Sequence, residues 1–349
     1  MIEIWYAILS FMLVMFVVLE GFDFGAGMLQ YIVGKTEAER RLVIAAIGPL
    51  WSWHEVWLVG FGGTMLVAFP NIIASLFAGF YMALFFVLWS LLLRGVAIEV
   101  SGHLADPLWR TGWHTIFVAA NFLLAVLVGA ALGNIVRGVP LNSSGKFALA
   151  LFTNFSPKGS VGILDWYTVS VAVFVLIIFA AHGATALVLK TDGPVHDRSL
   201  RIANLLWRII VILLPVITFE SWYVRPQLFS GLVHQAFGWL GLICVIGAIP
   251  VIFIGLKNGW DLCAVIASGA FIAGLMIAGA AGVFPIMLYS TIAPENSMSA
   301  YQNAAAGHGL AVALVWWPLS LIFSLIYFIF IYRHYTGKVK ASQDTQKPY

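Results

Sequence analysis

Residues 5–33 decide the fold class of this chain and read WYAILSFMLVMFVVLEGFDFGAGMLQYIV. The stretch is apolar almost throughout, and a helix needs only about 20 apolar residues to cross a bilayer. Two carboxylates, Glu20 and Asp23, interrupt it. An ionised acid at bilayer depth costs roughly 2.5–3.5 kcal/mol on insertion scales. Because the i, i+3 spacing places both acids on one helical face, we predict a packed polar seam inside a bundle.

Three glycines surround these acids, at Gly21, Gly25 and Gly27. Gly21 and Gly25 form a small-xxx-small pair, which lets a second helix approach closely in a membrane. The polar seam is therefore predicted to face a neighbouring helix.

Composition excludes a soluble globular protein. Of the 349 residues, 62% are hydrophobic and only 9% are charged, and the mean hydropathy is +0.97. These values predict an all-α polytopic membrane protein. No cleavable signal-peptide pattern is expected. The net charge of +3 comes with no basic patch suited to nucleic acid, and Cys244 and Cys263 lie in apolar stretches without the spacing of a disulfide framework.

Apolar segments of spanning length predict nine transmembrane helices. The second is interrupted by Pro49, the sixth carries Pro215, and Pro250 is expected to end the seventh. The predicted spans are roughly 5–33, 43–69, 72–93, 114–136, 165–189, 203–222, 233–256, 261–285 and 309–333.

Basic residues predict the orientation, because cytoplasmic loops carry an excess of Lys and Arg. The bias of about three to one places the N-terminus outside and the C-terminus in the cytoplasm. On the predicted inner side are Lys35, Arg40, Arg41, Arg94, Arg110, Lys190, Arg198, Arg201, Lys257, Arg333, Lys338, Lys340 and Lys347. On the predicted outer side are Arg137, Lys146, Lys158 and Arg225.

The chain also hints at an internal duplication. Glu20-Gly21 in the first span precedes a basic loop, and His182-Gly183 in the fifth span does the same. The predicted organisation is a single membrane domain with two parallel four-helix repeats, 1–136 and 165–285, then a ninth helix at 309–333 and a cytoplasmic tail at 334–349. Chance similarity of the two segments is the alternative.

A second polar patch, WSWHEVW at residues 51–57, opens the second span. At 1.5 Å per residue, His54 and Glu55 reach about the same depth as the two acids of the first span. Three acids and a histidine at one level have the composition of a proton relay. The alternative is a static network in which protonated acids hydrogen-bond neighbouring helices.

His182 is predicted to be a structural residue, since a lone histidine in a bundle usually has hydrogen-bond partners. A haem ligated by His54 and His182 is an alternative that the spacing does not require. His308, at the predicted outer edge of the ninth span, is expected to be solvated.

The block GFDFGAGML at residues 21–29 is the first of several blocks that occur in a characteristic order along the chain. The further blocks are Glu39-Arg40-Arg41, Trp51 with Glu55-Val56-Trp57-Leu58, Phe80-Tyr81 with Arg94, Gly133-Asn134, Gly138-Val139-Pro140, Ala181-His182-Gly183-Ala184 with Lys190-Thr191, and Phe284-Pro285 with Ser290, Ser297 and Asn303-Ala304. In these blocks and their order, the chain resembles subunit II of the cytochrome bd-type quinol oxidases.

The resemblance implies a bacterial inner-membrane complex that oxidises quinol and reduces oxygen to water. It implies that haem b and haem d are held by a partner, subunit I, and that none is held by this chain. Small single-span subunits, lipid and quinone are further expected partners, and nucleic acid is not. By the same resemblance, Asp23 belongs to the region of subunit contact and of the proton route, and Trp57 narrows an oxygen route.

Two departures from the family pattern concern the proton route. The usual block is close to Trp-Asp-Gly-Asn-Glu-Val-Trp, whereas Ser52 occupies the position of its first acid and His54 that of its Asn. Glu20 also replaces the usual Asp before Gly-Phe-Asp. We hypothesise that Glu20 and His54 together replace the missing carboxylate, within a route that comprises Glu20, Asp23, Ser52, His54 and Glu55. The alternative is a divergent branch of the family with an altered proton supply.

Two other function classes fit parts of the sequence. A proton-coupled secondary transporter would explain the intramembrane acids and the possible repeat, although matching broken helices in the two halves are not evident. A purely structural anchor is the third possibility.

Overall fold

The computed structural model describes residues 1–335 and 337–339, and these are mostly helical. The helices are α1 (Ile2–Val33), α2 (Glu37–Ile47), α3 (Trp51–Ala68), α4 (Pro70–Gly79), α5 (Tyr81–Val100), α6 (Pro107–Arg137), α7 (Trp166–Lys190), α8 (Gly193–Val224), α9 (Pro226–His234), α10 (Ala236–Asn258), α11 (Asp261–Val283), α12 (Ala300–Asn303) and α13 (Gly307–His334). A two-stranded antiparallel hairpin joins β1 (Ile286–Leu288) to β2 (Met298–Ser299).

The predicted all-α membrane fold is confirmed. Eight helices in the described part of the chain are long and apolar enough to cross a bilayer, and α2 with α3 forms a ninth if this bent pair is one span. The pair bends by 44°. Pro49 lies in the break, as the sequence predicts, because proline supplies no backbone donor for a continuous helix. The two four-helix repeats remain a prediction.

Two predicted boundaries are wrong in detail. The third span was predicted at 72–93, but the chain breaks at Phe80 between α4 and α5, and the long helix continues to Val100. Pro250 was expected to end the seventh span, but it lies inside α10, which continues to Asn258. Apolar content alone does not reveal such breaks and continuations, because membrane helices tolerate proline when neighbours satisfy the freed carbonyl.

Helix α1 is the centre of the bundle and contacts α3, α6, α7 and α11. Its closest approach is to α7, where a Cβ added at Gly25 would overlap the carbonyl oxygen of Phe179. A Cβ at Gly183 would in turn overlap the backbone at Ala26. The two backbones therefore touch, which confirms that glycine in the first span admits another helix.

Lys338 and Val339, which follow α13, lie beside the junction of α7 and α8. Val339 donates to the carbonyl of Lys190 at 2.8 Å, and Lys338 Nζ lies 2.6 Å from Asp192 Oδ1. The end of α1 lies on the same side, since Arg198 Nε donates to the Val33 carbonyl at 2.6 Å. We call this side, where α1, α7 and α13 all end, the α13-end side. Lys340, Lys347 and most of the predicted tail lie outside the described residues.

On the opposite side, the long loop between α6 and α7 is fastened by a buried ion pair. Arg137 at the end of α6 pairs with Asp165, which also caps the start of α7 through Thr168. Arg137, which the sequence places on the outer side, is therefore buried within the fold. Arg225 is likewise buried, with its guanidinium 4.6 Å from the centre of the Tyr289 ring.

Candidate functional site

The site begins with a buried ion pair between α1 and α5. Arg94 Nη2 donates to Glu20 Oε1 at 3.1 Å, and Arg94 Nη1 contacts the other carboxylate oxygen. Both side chains are fully buried. The sequence assigned Arg94 to a cytoplasmic loop, and this assignment is wrong, because α5 continues past it to Val100. A guanidinium at this depth is stable because its carboxylate partner offsets the cost of burial.

Glu55 extends this pair toward the surface. The same Arg94 Nη2 lies 2.9 Å from Glu55 Oε1, and the Glu55 side chain is 23% exposed. The guanidinium also lies 4.9 Å from the centre of the Phe24 ring and 5.8 Å from that of Trp51, close enough for cation–π contact. Arg94 thus links the buried carboxylate of Glu20 to the partly exposed carboxylate of Glu55.

A second polar group lies on the neighbouring side of α1. His54 Nδ1 is 2.7 Å from Asp23 Oδ2, and both side chains are fully buried. The other ring nitrogen, His54 Nε2, is 2.9 Å from the hydroxyl of Tyr332 on α13. His54 therefore links three helices. Asp23 Oδ1 has no hydrogen-bond partner among the described residues, so this carboxylate keeps one oxygen free to accept a proton.

These two groups form what we call the acid cluster, which comprises Glu20, Asp23, His54, Glu55 and Arg94. Three carboxylates share it with one guanidinium and one imidazole. Fully ionised carboxylates would leave a charge of −2 with neutral imidazole and −1 with imidazolium. Glu55 reaches the surface, but Glu20 and Asp23 are fully buried with one guanidinium, which leaves a buried charge of −1 when the imidazole is neutral. Such a buried charge is costly, and a proton is the simplest way to discharge it. The cluster can therefore hold and exchange protons.

Ser52 lies apart from the acid cluster. Its side chain is exposed, and the structure places no hydrogen bond on its hydroxyl within the described residues. In the first turn of α3, Ser52 lies three residues before Glu55 and therefore on a similar face. His54 points to the interior instead. The five predicted route residues thus divide into four that meet and one at the surface near Glu55.

Trp57 is buried and packs between α1 and α13. Its ring centre lies 5.7 Å from that of Phe11 and 6.4 Å from that of Phe328, both edge to face. This places Trp57 in an apolar seam one turn beyond His54.

His182 has the hydrogen bonds expected of a structural residue. Its Nδ1 is 2.7 Å from Ser268 Oγ, and its Nε2 is 3.1 Å from the Val18 carbonyl. Both ring nitrogens of His54 also make hydrogen bonds. A haem iron needs a free imidazole nitrogen, so this pair does not fit a haem in the arrangement that the structure shows. His308 is exposed, as predicted.

Sequence reasoning missed Arg94 and Tyr332. A charge balance could have indicated Arg94, because two or three intramembrane acids call for a cation and this arginine directly follows an apolar run. No pattern in the sequence pointed to Tyr332, which meets His54 across 278 positions.

Known proteins are similar to this chain over most of its length. The family model described as "Cytochrome bd terminal oxidase subunit II" matches residues 1–335. A "Probable cytochrome oxidase subunit 2" of Haemophilus influenzae is 27% identical over 97% of this chain and 95% of its own length. A "Cytochrome bd ubiquinol oxidase subunit 2" of Bacillus subtilis is 27% identical over 87% of this chain and 86% of its own.

Two further matches agree with these. The "Cytochrome bd-I ubiquinol oxidase subunit 2" of Escherichia coli is 33% identical over 56% of this chain and 50% of its own length. A chain from the structure of bd oxidase from Geobacillus thermodenitrificans superposes with a TM-score of 0.72, at 17% identity, over 96% of this chain and 99% of that one. The latter likeness concerns the fold.

Proposed function

The chain belongs to the cytochrome bd terminal oxidase subunit II family, and from this premise we propose that its acid cluster passes protons toward the haems of a quinol oxidase complex. It serves as a subunit of a quinol:oxygen oxidoreductase, which takes electrons from quinol and reduces oxygen to water. The single observation that carries the proton proposal is the excess of buried carboxylate over buried cation in the acid cluster.

The complex works with haems and quinol, and we propose that the haems lie on subunit I. Hydrogen bonds on both nitrogens of His54 and of His182 support this assignment. When bound, the haems supply the redox chemistry, whereas this chain supplies positions at which a proton can reside. Small single-span subunits, lipid and quinone are proposed as further partners of the two-subunit core.

We propose two arms for the proton route. In the first, Glu55 takes up a proton at the surface near Ser52. Arg94 bonds both Glu55 and Glu20, so a change in the charge of either carboxylate acts on the other through the same guanidinium. In the second, His54 and Asp23 share a proton across 2.7 Å. Glu20 and His54 both lie in the acid cluster, which supports the hypothesis that they replace the acid missing at Ser52.

Trp57 is proposed to narrow an oxygen path. Its burial between the rings of Phe11 and Phe328 supports this role, because an apolar seam suits a nonpolar gas and a bulky indole can restrict its width.

The chain is a multi-pass protein of the inner membrane, and we propose that its N-terminus is outside. The charge bias supports this orientation and becomes stronger once the buried Arg137 and Arg225 are removed from the outer set, since only Lys146 and Lys158 then remain. Arg94 is also buried, but leaving it out of the count lowers the number of basic residues on the predicted inner side by only one. The α13-end side is then cytoplasmic.

Co-purification with the partner subunit, followed by an optical spectrum, tests the assignment to an oxidase. Haem absorbance and quinol oxidation are expected from the complex. A stable chain without haem partner that moves a solute across vesicles would support the transporter, which the comparisons do not favour. A haem-bearing complex whose activity and coupling are unaffected by every cluster variant would support the structural anchor.

The proton proposal is tested in that complex with Glu20→Gln and His54→Ala. Both are expected to slow oxygen reduction and to reduce charge translocation, because each removes a group that can hold a proton. Glu99→Gln and His308→Ala are matched controls, since both residues are exposed. Full activity and full coupling in both cluster variants would refute the relay.

A further inference from the structure

Helix α13 contributes a phenol to the acid cluster. Tyr332 lies two residues before the end of α13, and its hydroxyl is 2.9 Å from His54 Nε2. The preceding turns of α13 contact α3 through rings, with Tyr327 against Trp53 at 4.2 Å and Phe328 against Trp57 at 6.4 Å. The phenol is thus a polar link between the cluster and the end of a spanning helix.

The hydrogen bonds at His54 form a continuous chain. Tyr332 contacts one ring nitrogen, Asp23 contacts the other at 2.7 Å, and Asp23 Oδ1 remains without a hydrogen-bond partner among residues 1–335 and 337–339. A proton that arrives at one end can leave at the other. Phenol, imidazole and carboxylate are all groups that can exchange a proton.

Aromatic rings enclose this chain. The centres of the Phe22 and Phe328 rings lie 6.3 Å from that of His54, and Phe328 packs against Tyr332 at 4.6 Å. Such rings exclude bulk water from the imidazole and leave Tyr332 on the side toward the helix end. Lys190, the last residue of α7, holds that helix end, because its Nζ donates to the Tyr335 carbonyl at 2.9 Å.

We propose that Tyr332 is the proton-uptake residue of a second route, which runs from the α13-end side through His54 to Asp23. This inference rests on the proposed function and extends it to α13. It supplies an uptake point in a chain that has Ser52 where the family pattern has an acid.

The imidazole hydrogen initially lies on Nδ1. A hydronium ion at the helix end gives a proton to the phenol oxygen and becomes water, while the phenol passes its own proton to His54 Nε2. The proton on Nδ1 then passes to Asp23 Oδ2. One proton has moved, no electron has moved, and Asp23 is neutral. Turning of the imidazole returns its hydrogen toward Asp23 once that carboxyl has released its proton.

The charges around His54 favour this direction. From α1 it faces Asp23 with Glu20 beyond, from α3 it is followed by Glu55, and α5 contributes Arg94. These described groups carry more negative than positive charge when ionised, so a proton is drawn from the phenol side into the cluster.

The test uses the whole oxidase complex in sealed liposomes. Tyr332→Phe keeps the ring and removes the hydroxyl, so haem absorbance and assembly are expected to be unchanged. Charge displacement during turnover is expected to slow by roughly tenfold or more, with a larger solvent deuterium isotope effect. Tyr327→Phe is the matched control, because its hydroxyl makes no hydrogen bond within the described residues.

A Tyr332→Phe complex with the charge displacement and isotope effect of the unmodified complex would overturn the inference. If that variant does not assemble, Tyr332→3-fluorotyrosine decides the question, because it keeps the hydroxyl and makes it a stronger acid. The pH dependence of charge displacement must then shift to lower pH, and an unshifted pH dependence would overturn the inference. Failure of the proposed function is distinguishable, because the unmodified complex would then lack haem absorbance and quinol oxidation.

Discussion

Arg94 and Glu20 face each other across α5 and α1 as a two-point ion pair without solvent exposure. The pair joins two helices that lie 74 positions apart and brings Glu55 of α3 to the same guanidinium. The acid cluster is therefore also a structural junction. Arg94 partly compensates the negative charge of the carboxylates at a depth where no bulk water can solvate them.

Arg94→Gln tests the structural side of this junction. Removing one partner leaves uncompensated buried acids, and breaking a buried ion pair typically costs about 3–5 kcal/mol. A lower unfolding temperature and a poorer yield of the complex are expected. The double variant Arg94→Gln, Glu20→Gln is expected to be less destabilised than the sum of the two single variants. Additive losses would show that the two side chains do not interact.

Gly25→Ala tests the close contact of α1 with α7. The added methyl group would overlap the carbonyl oxygen of Phe179, and overpacking costs about 1–3 kcal/mol or more when backbone must move. Loss of assembled protein is expected in detergent extracts. Gly62→Ala in α3 is the control, because a Cβ there meets nothing within 4 Å. Equal yields of the two variants would contradict the packing.

His182→Phe distinguishes a structural histidine from a haem ligand. The variant removes the hydrogen bonds of His182 to Ser268 and to the Val18 carbonyl, although the Ser268 hydroxyl keeps its bond to the Val265 carbonyl, and a lost hydrogen bond typically costs about 0.5–1.5 kcal/mol. The unfolding temperature is expected to fall while the haem spectrum of the complex stays unchanged. A lost or shifted haem band would contradict the structural role.

Arg137→Met tests the fastening of the loop between α6 and α7. Arg137 pairs with Asp165 and also donates to the Gly162 carbonyl at 3.0 Å. Without it, proteases added to liposomes are expected to cut within 138–165 several times faster. Lys158→Met is the control, because Lys158 is exposed in the same loop. Unchanged cutting rates in Arg137→Met would show that other contacts hold the loop.

Ser52→Asp tests the hypothesis that the route has been rearranged. The residue is exposed in the first turn of α3, so folding is expected to be unaffected. A carboxylate there would lie one turn from Glu55 and could supply protons to it. We expect Ser52→Asp to restore part of the charge translocation lost in His54→Ala. No recovery, measured in the same liposomes, would argue that His54 does not stand in for the missing acid.

The family resemblance was readable from ordered blocks of residues, and the match over residues 1–335 confirms it. The residues of the proposed relay could be predicted for a different reason. Regular helical rise converts sequence distance into depth, so Glu20 and His54 could be placed at one level without a structure. Their partners could not be found in this way, because depth does not say which helices are neighbours.

The sequence by itself determined the membrane fold, the main apolar spans and the acids that interrupt them, because bilayer thickness and the cost of burying charge act on each segment separately. Only the tertiary structure decided that Arg94 is a buried counter-charge, that Ser52 lies at the surface, and that Tyr332 meets His54. The physical reason is that these relations depend on helix rotation and helix neighbours. Both are set by packing between segments, such as the backbone contact of Gly25 with α7.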